Sequence, residues 1–264
     1  MRLLAVLTLL APFAAPAAMA QADSAGLAAH QATYALSLDA SHGGDVTGVT
    51  GEMAYEVTDA CDGWAVRQRL QMDVTNREGT EVNMVSDYLT WESKDGTKLR
   101  FRMKQMTDTA VTEQVEGEAS LSAPGAGGTI HYTLPEDKAM ALPAGTLFPM
   151  AHTAAIIAAA ESGSKFLTLP LFDGTGSVGA QNTSVIVVNW NKEPSAAPFA
   201  PLAELPSGRV RVAFFARNKD ATSPDYEVGM RYWSNGVADA LNMDFGEFVV
   251  NGKLATFTMP PPHC

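Results

Sequence analysis

Two cysteines are the side chains in this sequence whose chemistry can be assigned most directly. Cys61 lies near the first strand-like segments and Cys264 is the last residue of the sequence. Two single cysteines form neither a C-x-x-C redox unit nor a zinc site. In an oxidising compartment they would form a disulfide, which closes a loop of about 200 residues and stabilises the fold by up to roughly 5 kcal/mol. We therefore predict a structural Cys61–Cys264 disulfide.

The beginning of the sequence carries the pattern of an export signal. Met1 and Arg2 supply a positive start, residues 3–14 form an apolar run, and residues 18–20 form a small-x-small cleavage site. The apolar run is short for a membrane-spanning helix. We predict a signal peptide over residues 1–20 with cleavage after Ala20, and a periplasmic location for residues 21–264.

Motifs that could support catalysis lack the companions that such sites need. Residues 174–179 match G-x-G-x-x-G, but a β-branched strand follows where a dinucleotide site needs a helix, so we predict a hairpin turn. Residues 162–165 match S-x-x-K without S-D-N or K-T-G, and G-x-S-x-G is absent. Asp59 and Asp62 flank Cys61 and could act as acid and base, although acidic loop residues are usually solvated. We therefore expect no catalytic residue and no enzyme activity.

The histidines give no sign of a metal site. None of the five is spaced from another at i, i+2 or i, i+4, the spacing of a preformed metal pair. A metal site assembled only by folding stays open, but we predict neither metal nor cofactor. His152 lies in the one helix-like segment, and we interpret it as a structural side chain with a hydrogen-bond partner.

The overall charge limits the classes of partner. The 264 residues include 29 Asp and Glu against 18 Lys and Arg, which gives a formal net charge of −11. A chain this acidic repels nucleic acid and anionic membrane surfaces. No second segment is long and apolar enough to span a membrane. We expect no nucleic-acid partner and no membrane-spanning segment.

Most of the sequence alternates apolar and polar residues with the period of two that half-buried antiparallel strands show. Pro170 interrupts one such segment and indicates an edge strand or a bulge. Asn251-Gly252 lies between two apolar runs, where it predicts a hairpin turn. The segments lie at residues 34–38, 53–57, 64–74, 99–103, 130–134, 166–172, 184–190, 210–214, 226–232, 248–250 and 254–257.

One segment predicts a helix instead. Residues 149–161 are rich in alanine, begin with a proline suited to a first helical turn, and precede Gly163 at the position of a C-cap glycine. Such a helix could cover a cavity as a plug or lid, or could simply fill the open end of a curved sheet. Residues 194–206 hold four prolines and predict a surface loop or a linker.

A row of basic residues is the candidate contact surface. Lys98, Arg100, Arg102 and Lys104 alternate with apolar residues and therefore share one face of a strand. This basic ridge could contact phosphate head groups, glycan carboxylates or an acidic partner. It could also be an ordinary solvated face, since basic residues discourage pairing between strand edges.

Several segments resemble signatures of the EipB-like cell-envelope integrity proteins of alphaproteobacteria. They are the run Tyr55-Glu56-Val57-Thr58-Asp59-Ala60-Cys61-Asp62-Gly63-Trp64, residues 142–149, the first strand at residues 30–38 and the terminal region that closes on Cys264. The resemblance implies a strongly curved antiparallel β-spiral of two half-barrel-like parts around one short helix. It covers residues 21–264 as a single domain, with a divide expected near residues 140–165. It also implies one internal disulfide, which maps onto Cys61 and Cys264.

We expect a monomer. The resemblance implies a protein that supports cell-envelope integrity without an established enzymatic activity, with a functional link to a periplasmic tetratricopeptide-repeat protein. Our first hypothesis is therefore a binding module for a protein partner. The alternative is a carrier of lipid or another amphiphile, which needs a continuous apolar cavity lined by Met72, Phe101 and Phe166. A third hypothesis, an enzyme acting on peptidoglycan or glycan, needs two carboxyls facing one cleft, and no such pair is indicated.

Overall fold

The computed structural model describes residues 24–194, 196–217, 223–261 and 264. The predicted signal peptide, residues 1–20, therefore lies outside the described residues. The strands are β1 (His30–Ser41), β2 (Val46–Asp59), β3 (Gly63–Asn76), β4 (Glu81–Ser93), β5 (Lys98–Thr107), β6 (Ala110–Leu121), β7 (Gly128–Leu134), β8 (Lys138–Leu142), β9 (Phe166–Leu171), β10 (Gln181–Val187), β11 (Ser207–Phe215), β12 (Tyr226–Trp233), β13 (Ala238–Asp244) and β14 (Phe248–Thr258). Helix α1 (Pro149–Glu161) and the 3-10 helices Ser24–Gly26 and Ala200–Leu202 complete the described elements.

All strands belong to one antiparallel sheet. Its order is β8-β7-β6-β5-β4-β3-β2-β1-β14-β13-β12-β11-β10-β9, so β1 joins the two halves and β8 and β9 are the edges. The sheet is not closed, although Leu147 beyond β8 forms a parallel bridge to Leu171 of β9. The prediction of an all-β antiparallel fold with one short helix is confirmed, and β9 with its Pro170 is an edge strand.

The sheet curls until its two halves meet. Phe101 of β5 and Phe172 after β9 lie far apart in the strand order, yet their ring centroids are 5.2 Å apart in an edge-on contact. The loop between β9 and β10 lies over this contact, where Tyr132 accepts a hydrogen bond from the Gly179 amide at 3.1 Å. This loop is residues 174–179, so the predicted hairpin connection is confirmed.

Helix α1 lies inside the curve. Pro149 begins it, Ser162 ends it and Gly163 follows with φ +84°, as the sequence predicted. Because the segment is apolar on almost every side, it is buried rather than laid along the surface. Ile157 packs with Trp64 of β3, and Ile156 packs into the core of the second half. The helix therefore fills the interior between the two halves of the sheet.

Glu92 of β4 supplies the hydrogen bonds that the amino end of α1 needs. The helix has no capping side chain of its own, because its N-cap residue is Phe148. The Met150 and Ala151 amides instead donate to Glu92 Oε2 and Oε1 at 2.7 and 2.9 Å. The carboxyl is only 1% exposed. Burial raises its pKa to about 7, because the two backbone hydrogen bonds offset only part of the loss of water.

Strand β14 corrects one prediction from the sequence. Asn251 and Gly252 form no hairpin turn but lie in the middle of β14, opposite Ser37 and Leu36 of β1. A Cβ on Gly252 would lie 3.0 Å from the Cβ of Leu241, so the glycine allows close packing on β13. The hairpin prediction was wrong because contacts with both neighbouring strands outweigh the local turn preference.

The disulfide joins the two strands that flank β1. Cys61 lies in the turn between β2 and β3, and its sulfur is bonded to that of Cys264 beyond the end of β14. Asp59 holds the turn by accepting a hydrogen bond from the Cys61 amide at 2.9 Å and by pairing with Lys94 Nζ at 2.9 Å. The bond therefore links the first and second halves of the sheet directly, across β1.

We expect the contribution of Glu92 to stability to fall as the pH rises. Its folded pKa of about 7 lies above the ordinary 4.5, so the folded state binds the proton more tightly than the unfolded state. The contribution of the protonated carboxyl to stability is therefore complete below pH 4.5 and is lost as the pH rises through 7. Between about pH 5 and about pH 8, the free energy of unfolding of the wild type, measured in urea, should fall by about 2 to 3 kcal/mol relative to that of Glu92→Gln. A wild type that keeps or gains stability relative to Glu92→Gln as the pH rises would contradict this.

We expect loss of the disulfide to lower the melting temperature under non-reducing conditions. The bond closes a loop with a sequence separation of 203 residues, so its removal should destabilise the fold by up to about 5 kcal/mol. Cys61→Ser, Cys264→Ser and the double variant should melt at the same lowered temperature and be cleaved faster by protease. An unchanged melting temperature would refute a stabilising role.

Candidate functional site

Two of the residues considered for catalysis, Asp59 and Ser162, are engaged in structural contacts, while Asp62 is exposed. Asp59 pairs with Lys94, whose ammonium also lies 3.2 Å from the centroid of the Trp64 ring. Ser162 donates a hydrogen bond to the Ala159 carbonyl at the end of α1, as expected for a loop that ends a helix. Within the described ranges, no group of three or more His, Cys, Asp or Glu side chains could hold a metal ion.

His152 is a structural side chain, as predicted. Thr183 donates its hydroxyl hydrogen to the Leu169 carbonyl at 2.8 Å, so its oxygen accepts from His152 Nε2 at 2.8 Å. Burial lowers the pKa of His152 to about 4, which keeps the imidazole neutral. The pair ties α1 to β10 inside the sheet.

The three residues expected to line an acyl-chain cavity do not share one. Met72 packs in the large core cluster that β1 to β3 share with the second half, whereas Phe101 packs in a separate cluster with Phe148 and Phe172. Phe166 is 75% exposed, so the expectation that it points inward was wrong. In β9 the inward positions are those of the buried Leu169 and Leu171, one residue out of phase with Phe166.

One internal cavity of about 160 Å³ lies beside α1. Its lining includes Tyr34, Tyr55 and Tyr232 together with His30 and Met53. Pockets for drug-sized ligands measure roughly 300 to 1,000 Å³. The cavity is therefore small for an acyl chain, and the surface offers larger depressions.

The basic ridge lies on the outer face of β5. Lys98, Arg100 and Arg102 are exposed and Lys104 is half-buried, while the alternating residues Leu99, Phe101 and Met103 are buried. The predicted common face is therefore present in the structure. Whether the ridge contacts a partner stays a prediction.

A groove of about 500 Å³ runs along the ridge over the outer face of β4 to β7. Leu89 and Trp91 of β4 lie opposite Arg102 and Arg100, and Leu89 is 42% exposed. Gly117 of β6, which carries no side chain, lines the same depression. The groove thus combines guanidinium groups with apolar side chains.

Acidic residues partly neutralise this groove. Arg102 Nε lies 3.5 Å from Glu116 Oε2, and Glu118 is opposite Arg100 in the register of β5 and β6. The Arg100 guanidinium lies 5.3 Å from the centroid of the Trp91 ring, where a cation–π contact orients it. Sequence reasoning found the cations but missed these neighbours, because cross-strand register is not visible in the spacing along one strand.

Among the described residues, no helix has both the length and the apolar character that crossing a membrane requires.

Comparison with known proteins gives consistent matches over almost the whole sequence. A family model described as EipB-like matches residues 21–261. The cell envelope integrity protein EipB of Brucella abortus is 28% identical over 244 residues, which cover 90% of this chain and 86% of the relative. The crystal structure of a β-barrel-like protein from Brucella abortus matches with a TM-score of 0.80 and 28% identity, covering 89% of this chain and 99% of that chain.

Proposed function

The chain belongs to the EipB-like family, and from this membership we propose that it supports cell-envelope integrity as a periplasmic, non-enzymatic protein that binds a protein partner. The name of the Brucella abortus relative assigns envelope integrity to that protein. The Cys61–Cys264 disulfide supports the location, because such bonds persist in oxidising compartments. The family resemblance makes a periplasmic tetratricopeptide-repeat protein the first partner to test.

The groove along the basic ridge carries this proposal. Arg100 lies between Trp91 of β4 and Glu118 of β6. Arg102 lies between Leu89 and Glu116 in the same way. Arginine and tryptophan are enriched where protein interfaces concentrate their binding energy. The groove would accept acidic side chains at the guanidinium groups and an apolar side chain at Trp91.

A carrier of lipid or another amphiphile has less support. The interior is occupied by α1 and by separate clusters of buried side chains. The cavity beside α1, about 160 Å³, is lined in part by polar side chains such as Gln68 and Asn235. Binding on the outer face fits this filled interior better.

We expect reversal of the ridge charge to abolish partner binding without unfolding the protein. In Arg100→Glu/Arg102→Glu, like charges would face an acidic partner, and affinity for the purified tetratricopeptide-repeat protein should fall by at least about tenfold. Calorimetry at low and high salt measures the change. In a strain that lacks the gene, this variant should fail to restore resistance to detergent.

Lys138→Glu on β8 provides the matched control, because Lys138 is also exposed and lies outside the groove. It should bind and complement like the wild type. Thermal unfolding must show that both variants are folded. Wild-type complementation by the double variant, at equal protein level, would contradict the proposed role of the ridge.

A further inference from the structure

A second groove lies on the outer face of the other half of the sheet. It measures about 600 Å³ and extends from β11 to β14. Gly229 leaves part of its floor without a side chain, and Arg209, Arg211 and Lys253 surround it. Gly252 also lines the groove, but its missing side chain would point inward, toward the buried Leu241. Arg209 and Arg211 alternate along β11, but no sequence pattern connected them with Gly229 and Lys253, which come from other strands.

The second groove repeats the arrangement of the first. Arg209 and Arg211 project from β11 at alternate positions, as Arg100 and Arg102 do from β5. The neighbouring strand again places apolar residues opposite them, since Ile186 pairs with Arg211 and the Val188 amide donates to the Arg209 carbonyl. On the other side the two grooves differ, because Arg211 faces Gly229 whereas Arg100 and Arg102 face glutamates.

An exposed apolar patch continues the groove to the edge of the sheet. Val188 is 59% exposed, Ile186 43% and Phe166 75%. Phe166 pairs directly with Ile186 across β9 and β10, so the three side chains form one surface beside Arg209 and Arg211. Large apolar side chains grouped in this way mark interaction sites on soluble proteins.

The cations of the groove differ in how they are compensated. Arg231 forms a hydrogen bond of 2.7 Å from its Nε to the buried Asp239, and Arg211 pairs with Glu227. In the described part of the chain, no carboxylate lies within ion-pair distance of Arg209 or Lys253. Two exposed cations beside an apolar patch, on a chain of net charge −11, are complementary to an acidic ligand that carries apolar groups.

We propose that this groove is a second docking surface, which takes an acidic, extended segment of a protein with an apolar anchor. Carboxylates of the segment bind Arg209 and Lys253, and the anchor covers Val188 and Ile186. The inference rests on the proposed function, since it assigns a second contact to a protein partner. Because both halves of the sheet carry such a groove, one molecule binds two acidic segments at once, which raises the avidity for a partner with repeated segments.

The shape of the groove favours a protein segment over a membrane surface. The cations surround a concavity that has the backbone of Gly229 in its floor, and a flat layer of head groups cannot enter it. An extended chain can place alternate side chains into the groove and against its rim.

Isothermal titration with a defined peptide tests this proposal. The probe is a short peptide in which glutamate and leucine alternate, and the comparison peptide has serine in place of leucine. We expect two molecules of the leucine peptide per wild-type chain, and at least about tenfold weaker binding of the serine peptide. One molecule per chain, or equal binding of the two peptides, would overturn the inference.

Two variants of the second groove locate the site. Arg209→Glu reverses its charge, and Gly229→Val fills its floor. A Cβ at Gly229 would meet Asn242 at 3.7 Å, an ordinary contact, so valine fits the strand without a clash. Each variant should reduce the stoichiometry from two to one, and Lys138→Glu should leave it at two. An unchanged stoichiometry in both variants would overturn the inference.

Comparison with the ridge variant separates the two proposals. If Arg100→Glu/Arg102→Glu removes a peptide and Arg209→Glu does not, the proposed ridge contact stands and the second docking surface is wrong. If only Arg209→Glu and Gly229→Val remove a peptide, the second surface stands and the ridge proposal fails. Binding to phosphatidylglycerol vesicles that depends on Arg209, with no peptide bound, would replace the protein segment by a lipid surface.

Discussion

Helix α1 lies inside a curled sheet, so its amino end needs hydrogen-bond acceptors where water has little access. Glu92 meets this need from a strand more than fifty residues away along the chain, and its two oxygens take the Met150 and Ala151 amides. A buried carboxyl is costly unless it is hydrogen-bonded, and a bare helix end is costly as well. The Glu92 carboxyl and the amides at the amino end of α1 satisfy each other's hydrogen-bonding needs. This fixes the position of α1 inside the sheet, and therefore the curvature that the sheet must adopt around it.

The same constraint explains how the two halves are joined. Between them the sheet has only β1 in common, while α1 packs against both. If the halves were joined by one strand alone, they could bend relative to each other about that strand. The Cys61–Cys264 bond prevents this by linking the end of β2 to the end of β14, on either side of β1. His152 adds an internal tie by donating to Thr183 of β10. These contacts hold the halves in one arrangement, so grooves on their outer faces keep a fixed separation.

Local periodicity predicted most of the fold. Alternation located ten of the fourteen described strands, whereas β4, β6, β8 and β13 were not predicted. The Pro149 and Gly163 signals located both ends of α1. The failures came from interactions that no local pattern contains. Asn251-Gly252 has the composition of a turn but packs between β1 and β13, and Phe166 was placed on the wrong face of an edge strand. Glu92 had one available signal, a carboxylate at an inward position of β4, but its partner could be identified only in three dimensions.

The candidate surface was predictable only in part, for the same reason. Spacing along β5 placed the four ridge cations on one face. The apolar residues and glycines that make a groove of that face come from neighbouring strands, through a register that the sequence does not show. An interior filled by α1 leaves binding to the outer face, and a rigid outer face loses little conformational entropy when a partner binds. The clamp between the halves therefore contributes to recognition by holding the two grooves preorganised.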